Sequence, residues 1–109
     1  MERNADHEDF WDIAVAFIAT GKVEEGTMMG HHCLRATSGG GFVATVERSS
    51  GDLVVKLPKI RVAELIDSGA GRSFAPAGKV FREWVALPST DLDEWSSLID
   101  ESIAFVAKP

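Results

Sequence analysis

The sequence predicts an α+β fold, in which helices at the two ends of the chain cover one face of an antiparallel sheet. Three observations support this class. Apolar residues recur at helical spacing near both ends of the chain. In the middle of the chain the residue pattern repeats every two positions, as in a β-strand, and glycine-rich turns separate these runs. A chain of 109 residues is too short for two halves that each bury a core. We therefore expect residues 1–109 to form a single domain.

Both terminal helices are predicted from amphipathic spacing. In residues 6–20, apolar side chains at offsets of 3, 4, 7 and 8 share one helical face, and carboxylates at the start favour the positive end of the helix dipole. Gly21 provides a C-terminal stop. Residues 90–93 resemble a capping box for the last helix. The apolar face of that helix consists of Trp95, Leu98, Ile99, Ser102, Ile103 and Val106.

The middle of the chain is predicted to be mostly strand. Alternation and turn residues indicate strands at roughly residues 28–37, 42–47 and 53–57. Pro58 suits the first turn of a short helix that ends at Gly69. A further strand follows at residues 80–87, with an additional short strand possible near residues 72–74. The order is therefore helix, three strands, helix, one or two strands, helix.

The apolar faces of these elements are all expected to point toward the interior of the domain. They predict one connected core, because each element has a single apolar face to bury. The residues expected in this core are Phe10, Ile13, Phe17, Leu57, Leu65, Val85, Trp95, Leu98 and Ile103.

Composition narrows the class of protein. Hydrophobic residues make up 45% of the chain and charged residues 26%, which is ordinary for a globular domain. The sequence contains no run of about 18 apolar residues, so no membrane-spanning helix is predicted. Residues 1–6 are polar and acidic, unlike a signal peptide. Cys33 is the only cysteine, so no internal disulfide can form. We therefore expect a cytoplasmic protein that does not bind membranes.

Metal binding and catalysis are not expected. Adjacent residues on a strand point to opposite faces, so only His31 and Cys33 of the run His31, His32, Cys33 could share a face. Two ligands are too few for a structural zinc site. No nucleophile-elbow pattern occurs, and the glycine-rich stretches at 38–41 and 69–71 are typical of turns. The sequence predicts a non-enzyme with no metal and no cofactor.

The charge distribution identifies a candidate site. The chain has a net charge of −6, but residues 27–88 carry +3, while residues 1–26 and 89–109 carry −5 and −4. An anion-binding surface should therefore lie on the central segment, where a flat aromatic side chain could stack on a base. The residues expected there are Lys56, Lys59, Arg61, Arg72, Lys79, Arg82 and Trp84.

Trp84 also has a packing interpretation. A large aromatic side chain is seldom exposed, so it is favoured to pack under the loop at 70–78 with Phe74 as its neighbour, while Arg82 pairs with an acid.

One set of residues in segment 53–88 forms a recognisable pattern: Lys56, Leu57, Pro58, Arg61, Glu64, Leu65, Gly69, Gly71, Phe74, Arg82, Glu83, Trp84 and Val85. This pattern resembles the signature region of the MmcQ/YjbR-like family of small bacterial domains. The resemblance extends over roughly residues 29–106. It implies an α+β fold similar to that of type III secretion chaperones, and the family is often described as DNA-binding.

Two functions follow as alternatives. The first is nucleic-acid binding through the basic central segment, as the family resemblance implies, although the net charge of −6 opposes phosphate contact. The second is a protein–protein interaction module that uses the free sheet face or an edge strand, by analogy with the chaperone-like fold. An unidentified small-molecule ligand is a third option.

Overall fold

The computed structural model describes residues 8–28, 31–47, 51–74, 81–88 and 91–106. These residues form three helices and six strands. In chain order they are α1 (Glu8–Ala19), β1 (Val23–Met28), β2 (His31–Ala36), β3 (Phe42–Val46), β4 (Leu53–Lys56), α2 (Lys59–Asp67), β5 (Arg72–Phe74), β6 (Phe81–Leu87) and α3 (Leu92–Val106).

The six strands make one antiparallel sheet in the order β1-β2-β3-β4-β6-β5. The first four strands are neighbours in sequence, as expected for a meander. The chain then crosses through α2, places the short strand β5 at the edge, and returns with β6 between β4 and β5. This crossover puts α2 against β5 and β6, which is where the candidate site lies.

One face of the sheet packs against the terminal helices. Helix α3 contacts β3 and β4, and α1 contacts β1 and α3. The predicted α+β class is therefore confirmed, as is the placement of both terminal helices on the sheet. Seven of the nine predicted core residues are buried in one cluster, and Ile13 and Phe17 pack against it while half-buried. Among the described residues, no helix is long and apolar enough to cross a membrane.

The first hairpin differs from the prediction. The single strand expected at 28–37 is β2, and β1 pairs with it over six residues. The sequence of β1, VEEGTM, hides its strand character because Val23 is its only buried side chain among those described. As an edge strand, β1 can expose two consecutive glutamates, so it lacks the apolar alternation of an inner strand.

The helix ends show how short-range signals set the boundaries. Pro58, predicted in the first turn of α2, is instead its N-cap, one residue before the helix begins at Lys59. Gly69, with φ of +83°, follows the C-cap Ser68, close to the predicted helix end. For α3, the carboxylate of Asp91 accepts hydrogen bonds from the backbone N–H groups of Asp93 and Glu94, both at 3.1 Å. Asp91 therefore caps this helix, and Thr90 lies outside the described residues.

A β-bulge in β3 redirects one aromatic side chain. Leu34 lies opposite Ala44, but the next residue of β2, Arg35, lies opposite Phe42, so Val43 is the extra residue. Val43 and Ala44 both belong to the core cluster. The bulge consequently places Phe42 on the opposite face of the sheet, in contact with Trp84 of β6.

Candidate functional site

Trp84 lies on the sheet face opposite the core, within a row of three aromatic rings. Its ring stacks on Phe42 at a centroid distance of 4.4 Å and on Phe74 at 5.4 Å. The strands β3 and β5 lie on opposite sides of β6 in the sheet order, so the two phenylalanines approach Trp84 from both sides. Trp84 is half-buried as a result. The prediction that Phe74 is its neighbour is confirmed; residues 75–80 lie outside the described part of the chain.

A groove of about 370 Å³ lies between α2 and strands β5 and β6. Helix α2 is anchored by Val62 and Leu65, which are buried in the core. Val62 also borders the groove, together with Ala63 and Ile66 on the adjoining side of the helix. The lining residues are Lys59, Val62, Ala63, Ile66, Ser73, Arg82 and Trp84.

The groove is electropositive. Lys59 and Arg82 are both exposed and line it, and no carboxylate is among the described lining residues. Neither cation makes an ion pair with a described residue, so the acid partner expected for Arg82 is not found in the described part of the chain. Two positive charges thus stand beside three aliphatic side chains, Val62, Ala63 and Ile66.

Arg61 does not line this groove, and its side chain joins two helices. Its Nε and Nη2 donate to the two carboxylate oxygens of Glu101 on α3 at 2.9 and 3.2 Å, and its Nη1 donates to Glu64 at 3.3 Å. The hydrogen bonds to Glu101 are the main cause that raises the pKa of Arg61. This bidentate pair fixes α2 against α3 and neutralises the charge of Arg61.

The other predicted cations are dispersed. Arg72 pairs with the buried carboxylate of Asp52. Lys56 lies directly opposite Trp84 in the β4–β6 register and lines a separate pocket. Lys79 lies outside the described residues. Of the seven predicted site residues, the structure therefore brings Lys59, Arg82 and Trp84 together in one groove.

Sequence reasoning missed the apolar half of the groove. Ala63 and Ile66 follow Lys59 at offsets of four and seven, which is a helical stripe that could have been found by extending the face from Lys59. Ser73 belongs to the short strand that the sequence indicates only as a possibility, and its position beside α2 depends on the crossover that places β5 at the sheet edge.

The histidine and cysteine run has structural contacts. His32 Nδ1 lies 3.1 Å from a carboxylate oxygen of Glu25, and its ring meets the edge of Trp11. Cys33 is fully buried, and burial raises the pKa of its thiol. A protonated, buried thiol is a poor nucleophile. The described residues contain no group of three or more His, Cys, Asp or Glu side chains that could hold a metal ion. His7 lies outside them.

The chain matches no protein-family model, and no curated protein or solved structure is significantly similar to it. Membership of the MmcQ/YjbR-like family therefore stays a prediction that depends on the residues of the 53–88 segment.

Proposed function

We propose that the protein is a non-catalytic binding module whose groove takes an acidic segment of a protein partner. The observation that carries this proposal is the lining of the groove. Lys59 and Arg82 supply positive charge, aliphatic side chains supply an apolar surface, and no described lining residue is acidic. A segment with alternating acidic and apolar side chains would satisfy both features, since charge complementarity selects and orients partners.

The apolar surface extends beyond the groove. Ile60, one residue after Lys59, is 77% exposed, and Ala63 on the next turn is also exposed. A partner that covers this side of α2 would remove aliphatic surface from water, which favours association. Such a surface suits a peptide better than a phosphate backbone, because phosphate groups gain nothing from aliphatic contact.

Nucleic-acid binding is the second candidate. Lys56, Lys59 and Arg82 form no ion pair with described residues, and the family resemblance supports this function. Against it, the charges of Arg61 and Arg72 are already neutralised by carboxylates. Stacking of a base on Trp84 would require displacement of Phe42 or Phe74. We therefore rank it below a protein partner.

A peptide titration tests the proposal. Three fluorescent decapeptides, in which leucine alternates with glutamate, glutamine or lysine, differ only in charge. We expect the glutamate peptide to bind with Kd below about 100 μM and at least tenfold more tightly than the glutamine peptide, a difference of roughly 1.4 kcal/mol. The lysine peptide should not bind. Fluorescence anisotropy measures all three affinities. Equal affinity for the three peptides, or none for the glutamate peptide, would contradict the proposal.

The same assay separates the two candidates. Single- and double-stranded oligonucleotides at low salt should bind more weakly than the glutamate peptide. If nucleic acid is the ligand, the oligonucleotides should instead bind more tightly, and their affinity should fall steeply with salt because counterions are released. The Trp84→Ala variant would then lose about 1–3 kcal/mol if that side chain stacks on a base, provided that circular dichroism shows it to be folded.

The proposal also states that the protein is not an enzyme and that it is found in the cytoplasm. The buried, protonated thiol of Cys33 supports a non-catalytic role, and we place the protein in the cytoplasm because its single cysteine cannot form an internal disulfide.

A further inference from the structure

The open edge of the sheet at β5 borders the groove. Strand β5 is the last in the sheet order, and the described part of the chain pairs it with β6 alone. Ser73, the middle residue of β5, is exposed and lines the groove. A segment that lies in the groove is therefore beside the side of β5 that no described strand covers.

The hydrogen-bond register shows which backbone groups of β5 point to this open edge. The N–H of Leu57 donates to the carbonyl of Glu83 at 2.9 Å, in register with the β4–β6 pairs. Backbone polar groups alternate in direction along an antiparallel strand, so Val85, two residues after Glu83, also points its groups toward β4. Ser73 lies directly opposite Val85. The N–H and C=O groups of Ser73 therefore point away from β6, and no described residue forms a hydrogen bond with them.

The two sides of this edge differ in chemistry. Ser73 shares a sheet face with Val85, which is buried in the core, and on this side α2 supplies Ala63 and Ile66 to the groove. Arg82, three residues before Val85 on β6, lies on the opposite face. An extended segment directs alternate side chains to the two sides of a sheet. Alternating apolar and acidic residues would therefore meet aliphatic side chains on one side and a cation on the other.

We propose that the acidic segment binds as an added antiparallel strand on β5, with its apolar side chains toward α2 and its acidic side chains toward Arg82. This inference rests on the groove function proposed above and adds the conformation of the partner. Main-chain hydrogen bonds supply affinity in such strand addition, and alternate side chains supply specificity. The residue that pairs with Ser73 is an apolar one, because directly opposite residues project their side chains to the same face.

Backbone N-methylation of the leucine–glutamate decapeptide tests this pairing. One version carries an N-methyl group on every leucine, and the matched version carries one on every glutamate. In the proposed strand, the N–H groups of the leucines face β5 and those of the glutamates face solvent. Methylated leucines should weaken binding at least ~tenfold, because a donor is lost and a methyl group meets the edge of β5. Methylated glutamates should change the affinity less than about threefold.

Fluorescence anisotropy measures the affinities of the unmodified and the two methylated peptides. A loss confined to the leucine-methylated peptide supports strand addition. Equal affinities of the two methylated peptides, or the opposite order of loss, would overturn it and leave the groove proposal standing. If the unmodified peptide does not bind, both proposals fail.

Two substitutions at Ser73 test the same contact from the side of the protein. Ser73→Pro removes the outward N–H but no hydrogen bond to β6, which is the kind of position where an edge strand tolerates proline. It should weaken binding of the unmodified peptide at least ~tenfold, whereas Ser73→Ala, which keeps the N–H, should change it less than about threefold. Equal affinities of the two variants, both shown to be folded by ¹H–¹⁵N NMR spectra, would contradict the pairing. If the proline variant does not fold, the methylated peptides decide the question.

Discussion

Replacement of Leu98 by alanine should lower the free energy of unfolding by about 2–5 kcal/mol, the range observed for large-to-small changes in well-packed cores. Leu98 lies on the inner face of α3 and is only 2% exposed. Helix α3 packs directly on the central strands β3 and β4, so a cavity there would be enclosed by strands that cannot easily move inward. Urea denaturation monitored by circular dichroism measures the loss.

The same substitution at Leu92 is the matched control. Leu92 begins the same helix but is 38% exposed, so Leu92→Ala should cost less than about 1 kcal/mol. Phe17 was also predicted as a core residue, but it is half-buried, and Phe17→Ala should cost less than a fully buried phenylalanine would. A loss below about 0.5 kcal/mol for Leu98→Ala would contradict the core assignment.

The elements predicted correctly are those whose pattern reflects burial on one face. Helices α1 and α3 and strands β3, β4 and β6 each bury an apolar face, so their side-chain periodicity is visible in the sequence. Strand β1 lies at the sheet edge, where backbone pairing with β2 supplies the stabilisation and the side chains can be polar. Its strand character is therefore a property of the tertiary structure and not of its own sequence.

The sequence predicts which residues could form the candidate site, but it does not predict which of them lie together on one surface. The central segment carries the positive charge, and Lys59, Arg82 and Trp84 do meet in one groove. The neutralisation of Arg61 could not be read from sequence, because Glu101 is 40 residues away and is reached only through the packing of α2 on α3.

The stacking of Trp84 on Phe42 could not be predicted from the sequence either. Its partner Phe42 is brought to the outer face by the bulge at Val43. Simple alternation along β3 would have placed Phe42 on the core side with Ala44, because residues two apart on a regular strand share a face.

Reversal of both groove cations, in the double variant Lys59→Glu/Arg82→Glu, should weaken binding of the leucine–glutamate peptide by at least ~100-fold. Each reversal replaces an attraction with a repulsion of the same carboxylates, and a tenfold change per site corresponds to roughly 1.4 kcal/mol. The two side chains lie on separate elements, α2 and β6, so each single variant should lose about tenfold and the two losses should combine. Fluorescence anisotropy at about 0.15 M ionic strength measures the affinities.

Two comparisons make this prediction specific to the groove. Lys22→Glu changes the net charge by the same amount as either single groove variant, at an exposed position just before β1, on the far side of the sheet from the groove. It should cost less than about threefold at roughly 0.15 M ionic strength, where the Debye length is about 8 Å. The groove variant should also gain affinity for the leucine–lysine peptide, since its lining would then be acidic. This gain cannot result from unfolding, so it distinguishes a recognition surface from a residue pair that only supports the fold. Equal losses for Lys22→Glu and for each single groove variant would show that overall charge, and not the groove, attracts the acidic peptide.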